Sequence, residues 1–287
     1  VTSEQLNKDI SGDKVDFTLL NLNIRSLNQH FDKLNQLLKS LDHNSTVIGL
    51  TETQLKDKPY GHLYLPDYDL EYVNRVGRNS GGVCMYIKSD FKYKLRTDLC
   101  IANANFESCF IEIENSKSRN IMVGVIYRAH TSIDDFNIDL SQILQKLSEE
   151  NKDCYILGDY NIDLLKDEIH RPTGEYLDLI YSHHIIPTIL KPTRITDSSA
   201  TILDNILTNC HENIKTRIIL TDITDHLPTV YFKNLNGLNQ TKNSSSKYVY
   251  KRNHTEDNIG RFRRSLAEVN WNEILDGDDV GSDYNNF

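Results

Sequence analysis

The 287-residue sequence predicts an α/β layered domain. Short runs rich in β-branched and aromatic residues recur between residues 17 and 232, which is typical of strands. Apolar residues at helical spacing occur in only three places between these runs. A polar stretch without periodicity begins at residue 234 and indicates the end of the core. Strands interspersed with a few helices favour sheets covered by helices, in one domain over residues 15–233.

The strand predictions rest on composition and on flanking turn residues. They cover residues 17–23, 47–50, 68–73, 83–87, 108–114, 121–127, 155–157, 205–208, 217–220 and 227–232. Three helices are predicted from apolar faces. These faces consist of Phe31, Leu34, Leu37, Leu38 and Leu41, then Phe136, Ile143, Leu144 and Leu147, and finally Tyr176, Leu177 and Ile180.

The segments outside the core have other characters. Residues 1–14 are interpreted as an N-terminal extension, and residues 234–254, rich in Asn, Ser and Lys, as a linker. Residues 255–287 are predicted to form a helical segment, and docking to a partner is favoured over nucleic-acid binding for it. Its apolar face would hold Ile259, Phe262, Leu266, Val269 and Trp271.

Composition narrows the function classes. The 41 acidic residues exceed the 32 Lys and Arg residues, and the net charge of -9 argues against a broad electrostatic grip on nucleic acid. The net charge does not exclude a local basic groove. The five cysteines form no metal-type pair, which favours reduced thiols. We find neither a signal peptide nor an apolar run near the roughly 20 residues of a membrane helix. The first residue is not Met, which indicates a fragment or a processed chain.

The motif LGDYN of residues 157–161 takes an apolar strand directly into an acid and an amide. Gly158 is expected to permit an unusual backbone angle there. Asp159 and Asn161 would then address one substrate from the end of the strand. An ordinary turn is the alternative, because Gly, Asp and Asn are common turn residues.

Two further polar residues close the first two predicted strands. Asn23 ends the first strand, where its amide could orient a carboxylate or a water; the alternative is that it caps the next helix. Glu52 follows the second strand, and an isolated carboxylate at that place suits a hard divalent cation. A solvated loop acid is the alternative for Glu52.

Further candidate site residues, aromatic, basic and acidic, lie in or beside the later predicted strands. Tyr127 and Arg128 end the strand 121–127 and offer a phenol and a guanidinium to a phosphate, with packing as the alternative for the tyrosine. Asp204 lies among apolar residues, where a buried charge is costly without a partner. We expect that partner to be His226, which follows Asp225 just before the last core strand.

The order of these motifs resembles that of the endonuclease/exonuclease/phosphatase superfamily. The motifs are Asn23, LTET at 50–53, VIYR at 125–128, LGDYN at 157–161, LDNIL at 203–207 and DHLP at 225–228. The resemblance covers residues 15–233 and implies a four-layered α/β sandwich of two packed, mainly antiparallel sheets flanked by helices. It also implies phosphoester hydrolysis with Mg²⁺, for which Mn²⁺ is an acceptable substitute.

Within the superfamily, NIRSL at 23–27, LTET at 50–53 and TRIT at 193–196 are similar to the endonucleases of jockey-type non-LTR (LINE) retrotransposons. This similarity implies a DNA endonuclease that nicks one strand of double-stranded DNA and leaves a 3′ hydroxyl for target-primed reverse transcription. Residues 258–287 resemble the segment that joins such an endonuclease to a covalently linked reverse transcriptase domain. Synthesis in the cytoplasm, action in the nucleus and no membrane association are then expected.

The resemblance also implies roles for single residues. Glu52 matches the metal-binding glutamate, supported by Asn23, with Asp225 as a second metal ligand. Asp159 matches the acid that orients or deprotonates the attacking water. Asn161 would hydrogen-bond a phosphate oxygen or the nucleophile.

The remaining roles concern the phosphate. Protonated His226 would stabilise the developing phosphorane, and Asp204 would hold the imidazole in place. Tyr127 matches a phosphate-contacting tyrosine. Contacts to DNA phosphates are expected from Arg128, Lys191, Thr193 and Arg194.

Two departures from the family pattern bear on activity. Arg25 stands where the repair endonucleases have an acid, which favours a single metal ion. The residues after Tyr127 differ from the Pro-Asn ending of those enzymes, which argues against repair activity. A lipid or inositol phosphatase is one alternative, although its PAWCDR run is absent. A catalytically inactive DNA- or protein-binding module is another, although the matched acids are all present.

Overall fold

The computed structural model describes the secondary structure of residues 1–11, 15–55, 61–75, 77, 80–115, 118–235 and 256–268. The chain divides into two units, Val1–Asn243 and Ser244–Phe287. The helices of the first unit are α1 (Ser3–Ser11), α2 (Leu27–Ser40), α3 (Ile133–Glu150) and α4 (Arg171–Ser182), with 3-10 turns at Gly61–Leu63 and Leu164–Lys166. Its strands are β1 (Phe17–Asn23), β2 (Val47–Thr51), β3 (Tyr68–Val73), β4 (Val83–Lys88), β5 (Tyr93–Leu95), β6 (Ile101–Ala102), β7 (Phe106–Ile113), β8 (Ile121–Arg128), β9 (Asp153–Asp159), β10 (Ile186–Pro187), β11 (Arg194–Thr196), β12 (Ser199–Thr201), β13 (Asp204–Thr208), β14 (Thr216–Ile218) and β15 (Thr229–Lys233).

Two large sheets form the centre of this unit. The first sheet has the order β14-β15-β1-β2-β4-β3, and the second has the order β10-β13-β9-β8-β7-β5, with β6 also paired to β7. Among the described strands, only the β1–β2 and β8–β9 pairs are parallel. Strands β11 and β12 form a separate hairpin. The predicted architecture of two packed, mainly antiparallel sheets flanked by helices is therefore confirmed.

Three buried apolar clusters separate four layers. One cluster lies between the first sheet and helices α1 and α2, and includes Leu22, Leu50 and Phe31. The second lies between the two sheets, and the third lies between the second sheet and helices α3 and α4. Strands β1 and β9 are buried on both faces because they are central in their sheets, which explains their nearly continuous apolar sequences. Their carboxyl ends, Asn23 and Asp159, thus lie inside the sandwich rather than at its surface.

The predicted elements within the domain are all present, and the shortest ones were missed. Strands β5, β6, β10, β11 and β12 have only two or three residues, which is too few to show alternation. Helix α1 was also missed, inside the predicted extension 1–14. Its Leu6 and Ile10 are buried with the apolar face of α2, so this segment packs as part of the first unit.

The second unit contains helix α5 (Glu256–Glu268), which begins at the predicted position after Thr255. Val269 and Trp271, predicted for its apolar face, lie outside the described residues, as does most of the predicted linker. Within the described part of the chain, no helix combines the length and the apolar character that a membrane crossing needs.

Gly158 has a different role from the predicted one. It lies inside β9 and is not among the glycines with a left-handed backbone, whereas Asn161 makes the turn with a φ of 49°. A methyl group at position 158 would lie 2.1 Å from the carbonyl oxygen of Ile126 on β8. Glycine is required here because the neighbouring strand passes so close to it.

We therefore expect Gly158→Ala to destabilise the fold. The oxygen of Ile126 belongs to the parallel β8–β9 ladder and cannot move away without disturbing it, so the free energy of unfolding should fall by about 3 kcal/mol. Urea unfolding followed by circular dichroism measures this change. Gly61→Ala is the matched control, because a methyl group there meets nothing within 4 Å. Equal unfolding midpoints for the two variants would contradict the explanation.

Candidate active site

A row of polar residues crosses the second sheet. Glu107 on β7 is directly opposite Tyr127 on β8, which is opposite Asp159 on β9, which is opposite Asp204 on β13. Directly opposite residues of neighbouring strands project to the same face, so the four side chains share one face of the sheet. Three of them come from separate predicted motifs. Sheet register therefore assembles positions that are far apart in the sequence.

The first sheet contributes the loops that follow β1 and β2. These parallel strands end together, with Asn23 beside Thr51. Backbone hydrogen bonds also join the two loops after the strands end. The Ser26 N–H donates to the backbone carbonyl of Glu52 at 2.8 Å, and the Leu27 N–H donates to that of Thr53 at 2.9 Å. Ser26 and Glu52 have left-handed φ values of 99° and 52°. Such strained backbone is typical of functional sites and fixes the direction of Glu52.

Asn23 joins the two sheets at the site. Its Nδ2 donates to Oε1 of Glu52 and to Oδ2 of Asp159, each at 2.8 Å. Its Oδ1 accepts the Arg25 N–H at 3.1 Å, which sets the orientation of the amide. Asn23 and Asp159 are completely buried, whereas Glu52 is half-buried. The amide thus holds two carboxylates from different sheets side by side; direct metal ligation by Asn23 stays a prediction.

The expected pair of Asp204 and His226 is present. His226 Nδ1 lies 2.9 Å from Oδ2 of Asp204 and 4.0 Å from Oδ2 of Asp159. Thr193 completes this group: its hydroxyl donates to Oδ2 of Asp204 at 2.8 Å and is buried. The prediction that Thr193 contacts a DNA phosphate needs correction, because the side chain is inaccessible and already bonded to the acid.

The pKa values of both Asp159 and His226 are raised by this packing. Burial is the main cause that raises the pKa of Asp159 to about 7, and the nearby Asp204 carboxylate adds to the rise. Burial opposes charging of His226, but the Asp204 carboxylate outweighs it and raises the pKa of the imidazole to about 9. Between pH 7 and 9 the site therefore holds an ionised Asp159 beside a protonated His226.

Arg128 is the second correction. It follows Tyr127 in β8, so its side chain projects to the opposite face of the sheet and is buried. Its guanidinium donates to the carbonyl oxygens of Asn161, at 3.1 Å, and Thr131. Asn161 in turn donates from Nδ2 to the Arg128 carbonyl at 2.8 Å. Arg128 thus positions the turn after β9 and does not face a phosphate.

Asp225 is bound by two arginines. Arg25 lies 2.7 Å from its Oδ1 and Arg194 lies 2.8 Å from its Oδ2, and these partners make ligation of a second metal ion by Asp225 unfavourable. The side chains of Arg25 and Arg194 remain 42% and 34% exposed, so both can still meet a ligand at the rim of the site. Lys191 is exposed nearby in sequence. Phosphate contacts by Lys191 and Arg194 stay predictions.

Glu107 and Arg75 were not predicted. Glu107 is completely buried in the row of polar residues and pairs with Arg75, which lies over the ring of Tyr127. Burial and the nearby Glu52 carboxylate raise the pKa of Tyr127 well above its usual value, so the phenol stays protonated and can donate. An acid within the mainly apolar run 106–113 was the available signal for Glu107, but Glu112 lies in the same run and the sequence does not distinguish the two.

The donor set fits a divalent cation. Glu52 and Asp159 flank the same amide, and among the described residues neither forms an ion pair with a lysine or an arginine. Carboxylate oxygens are the ligands that Mg²⁺ prefers. Asp159, Asp204 and His226 also offer ligand atoms that lie within 4.8 Å of one another. A bound cation would offset the negative charge that the protein itself leaves unbalanced.

Solved structures of nucleases and phosphatases share this fold. The catalytic domain of Xenopus laevis APE2 has a TM-score of 0.58 at 16% identity, covering 75% of this chain and 91% of that one. The endonuclease domain of TRAS1, a telomere-specific non-LTR retrotransposon, has a TM-score of 0.57 at 12% identity, covering 77% and 99%. The Neisseria 3′ phosphatase NExo, bound to a product DNA hairpin, has a TM-score of 0.53 at 13% identity, covering 75% and 98%.

At these identities the structures establish the fold alone. No curated protein sequence matches the chain. Residues 20–226, more than half of the sequence, match the model of the Endonuclease/Exonuclease/phosphatase family. The matched range contains Asn23, Glu52, Asp159, Asp204 and His226. The chain therefore belongs to the endonuclease/exonuclease/phosphatase family, as the order of its motifs predicted.

Proposed function

We propose that this protein is a Mg²⁺-dependent DNA endonuclease that nicks one strand and leaves a 3′ hydroxyl for target-primed reverse transcription. The observation that carries the proposal is the meeting of Glu52, Asn23 and Asp159 beside the Asp204–His226 pair. The family fold supports a phosphoesterase. The shared fold of the TRAS1 endonuclease and the motif similarity to jockey-type endonucleases favour DNA as the substrate.

Asp159 is suited to handle the proton of the attacking water. Its Oδ2 accepts a hydrogen bond from Nδ2 of Asn23 at 2.8 Å, and its Oδ1 accepts one from the Asn161 N–H at 3.0 Å, so the carboxylate has one orientation. Its pKa of about 7 makes it a base that is ionised at mildly alkaline pH yet basic enough to accept a proton.

His226 is suited to stabilise the charge that develops on the phosphate. Its Nδ1 is bonded to Asp204, which leaves Nε2 as the nitrogen available to a phosphate oxygen. A protonated imidazole held in a buried site needs no reorganisation when the charge appears. The protonated Tyr127 hydroxyl, and the Asn161 amide with its remaining N–H, would add neutral donors to the same group.

Members of this family generally depend on a divalent metal ion, and Glu52 would hold it here. When bound, Mg²⁺ polarises the scissile phosphate and offsets charge on the leaving 3′ oxygen. The contribution of the chain is to direct Glu52 through its left-handed backbone and its hydrogen bond to Asn23. Mn²⁺, with similar oxygen preference, would replace Mg²⁺.

The partners follow from this activity. A double-stranded DNA target would meet the rim of the site through Arg25, Arg194 and Lys191, since the net charge of -9 leaves binding to local contacts. Action on chromosomal DNA places the protein in the nucleus. A reverse transcriptase domain in the same polypeptide would use the 3′ hydroxyl.

The test is nicking of supercoiled plasmid in Mg²⁺ or in EDTA. We expect nicked circles only with the metal, and we expect a DNA polymerase to extend the nicks without prior phosphatase treatment. Asp178→Asn, an exposed acid on α4, should nick like the wild type, whereas His226→Ala should not. Intact plasmid in Mg²⁺ would contradict the proposal, and release of phosphate from inositol phosphates in the same samples would favour the phosphatase alternative.

A further inference from the structure

We propose that Arg75 is a further positioning residue, a buried guanidinium that fixes the ring of Tyr127 where the scissile phosphate binds. The inference rests on the proposed function, because Tyr127 is expected to contact that phosphate. Arg75 lies in the loop between β3 and β4 of the first sheet, whereas Tyr127 belongs to β8 of the second sheet. The contact therefore spans the two halves of the sandwich at the site.

Glu107 holds the guanidinium in place. Nε of Arg75 lies 2.5 Å from Oε1 of Glu107, and the two side chains are 10% and 0% exposed. The other carboxylate oxygen accepts the Gly82 N–H at 3.1 Å. Because both carboxylate oxygens are bonded, the acid has one orientation, and its Oε1 holds Nε of the guanidinium at a fixed place.

The guanidinium of Arg75 also lies over the ring of Tyr127. Cζ of Arg75 is 5.7 Å from the ring centroid, which is within the range of a cation–π contact. Nη2 of Arg75 is buried and has no hydrogen-bond acceptor among the described residues. An electron-rich ring face is a favourable surface for such a donor. Glu107 is also the direct neighbour of Tyr127 across β7 and β8, so acid, guanidinium and phenol form one unit.

Two glycines close over the ion pair. A methyl group at Gly81 would lie 3.0 Å from Oε2 of Glu107 and 3.2 Å from Cζ of Arg75. Gly81 and Gly82 have φ values of 88° and 86°, which other residues rarely adopt. The main chain at Gly81 thus lies against the ion pair, where a larger residue would collide with both partners.

The position of the Tyr127 hydroxyl depends on this arrangement. The hydroxyl neighbours the carboxylate of Glu52, the predicted metal ligand. If the ring of Tyr127 shifted, the hydroxyl would move away from this carboxylate. A purely structural ion pair is the competing explanation for Arg75 and Glu107. The two explanations differ in one respect: positioning acts through the hydroxyl of Tyr127, whereas fold stabilisation does not.

A double-mutant cycle separates them. Arg75→Lys keeps the charge beside Glu107 but loses the planar group that lies over the ring. Tyr127→Phe keeps the ring and loses the hydroxyl. We expect Arg75→Lys to lower kcat about tenfold in the wild-type background and less than about twofold in the Tyr127→Phe background, with little change in KM. Arg171→Lys, at an exposed surface pair, is the matched control and should leave kcat unchanged.

An equal loss of kcat in both backgrounds would overturn the inference, as would no loss in either. If Arg75→Lys does not fold, Glu107→Gln tests the same coupling, because it weakens the clamp with a side chain of equal size. The cycle is run on supercoiled plasmid and on bis(p-nitrophenyl) phosphate, a minimal phosphodiester. Coupling on the small ester without plasmid nicking would overturn only the proposed function. Nicking without coupling would overturn only the role of Arg75, and no hydrolysis of either substrate would overturn both.

Discussion

Replacing Asp159 with asparagine is expected to lower kcat for plasmid nicking by about 10³-fold. The amide has the same shape as the carboxylate and can still accept the Asn161 N–H, but its NH2 group then faces Nδ2 of Asn23, and it cannot take a proton from water. The loss should persist at every Mg²⁺ concentration, because Glu52 remains to hold the metal ion. Initial rates of nicked-circle formation measure it, with Asp178→Asn as the control of equal chemistry at an exposed site. A variant that nicks within about threefold of the wild-type rate would remove Asp159 from the mechanism.

The same substitution is expected to remove a pH-dependent cost to stability. The pKa of Asp159 rises on folding from 3.8 to about 7, so the folded state binds this proton more tightly than the unfolded state does. Stability therefore falls as pH rises between these two values, and the cost of the buried charge is complete above about pH 7. Asp159→Asn removes that cost at high pH, and at every pH it loses the hydrogen bond that Oδ2 accepts from Asn23. The Tm of the variant relative to the wild type should therefore rise between pH 4 and pH 8, and a difference that does not change with pH would contradict the charge cost.

The sequence predicted the residues of the site better than their orientations. Apolar runs end in Asn23, Glu52 and Asp159, and strand ends in a layered domain meet in one place, so their convergence follows from pattern alone. The direction in which each side chain points depends on its position within a strand and on how the strands are paired. Arg128 follows Tyr127 within one strand, and the alternation of side chains already implies that only one of the two can face the site. Gly158 similarly reflects the close approach of β8, which a single sequence cannot reveal.

Contacts between the two sheets could not be predicted from the sequence, for a different reason. Arg75 lies in a loop without periodicity, and its partner Glu107 is on a strand of the other sheet. Asp225 and Arg25 are 200 positions apart, and only the folded chain shows that Arg25 and Arg194 neutralise the acid. Local pattern predicts which residues end a strand. Pairing across the sandwich depends on how two sheets align, and no short segment encodes that.

Replacing Asp204 with asparagine is expected to move the whole pH profile of kcat towards acid. In the wild type, activity should rise as Asp159 ionises, near pH 7, and fall as His226 loses its proton, near pH 9. The Asp204 carboxylate raises both pKa values, because its charge repels ionised Asp159 and attracts protonated His226. Without it, burial is opposed by the more weakly acting charges of Asp159 and Asp225, so the pKa of the imidazole falls from about 9 towards its ordinary value of 6.5.

The change in kcat has opposite signs on the two sides of the profile. At pH 8 less of the imidazole is then protonated, and kcat should fall by up to about 30-fold, the limit for a pKa of 6.5. At pH 6 kcat should instead rise, because the lower pKa of Asp159 leaves more of that carboxylate ionised. Measurements of kcat from pH 5.5 to 9.5 check this. Thr193→Val, which removes the hydroxyl bonded to Asp204 but keeps both charges, should leave the two limbs in place. An Asp204→Asn profile with both limbs at the wild-type pH values would show that the acid only orients the ring, because a charge effect must move the limbs.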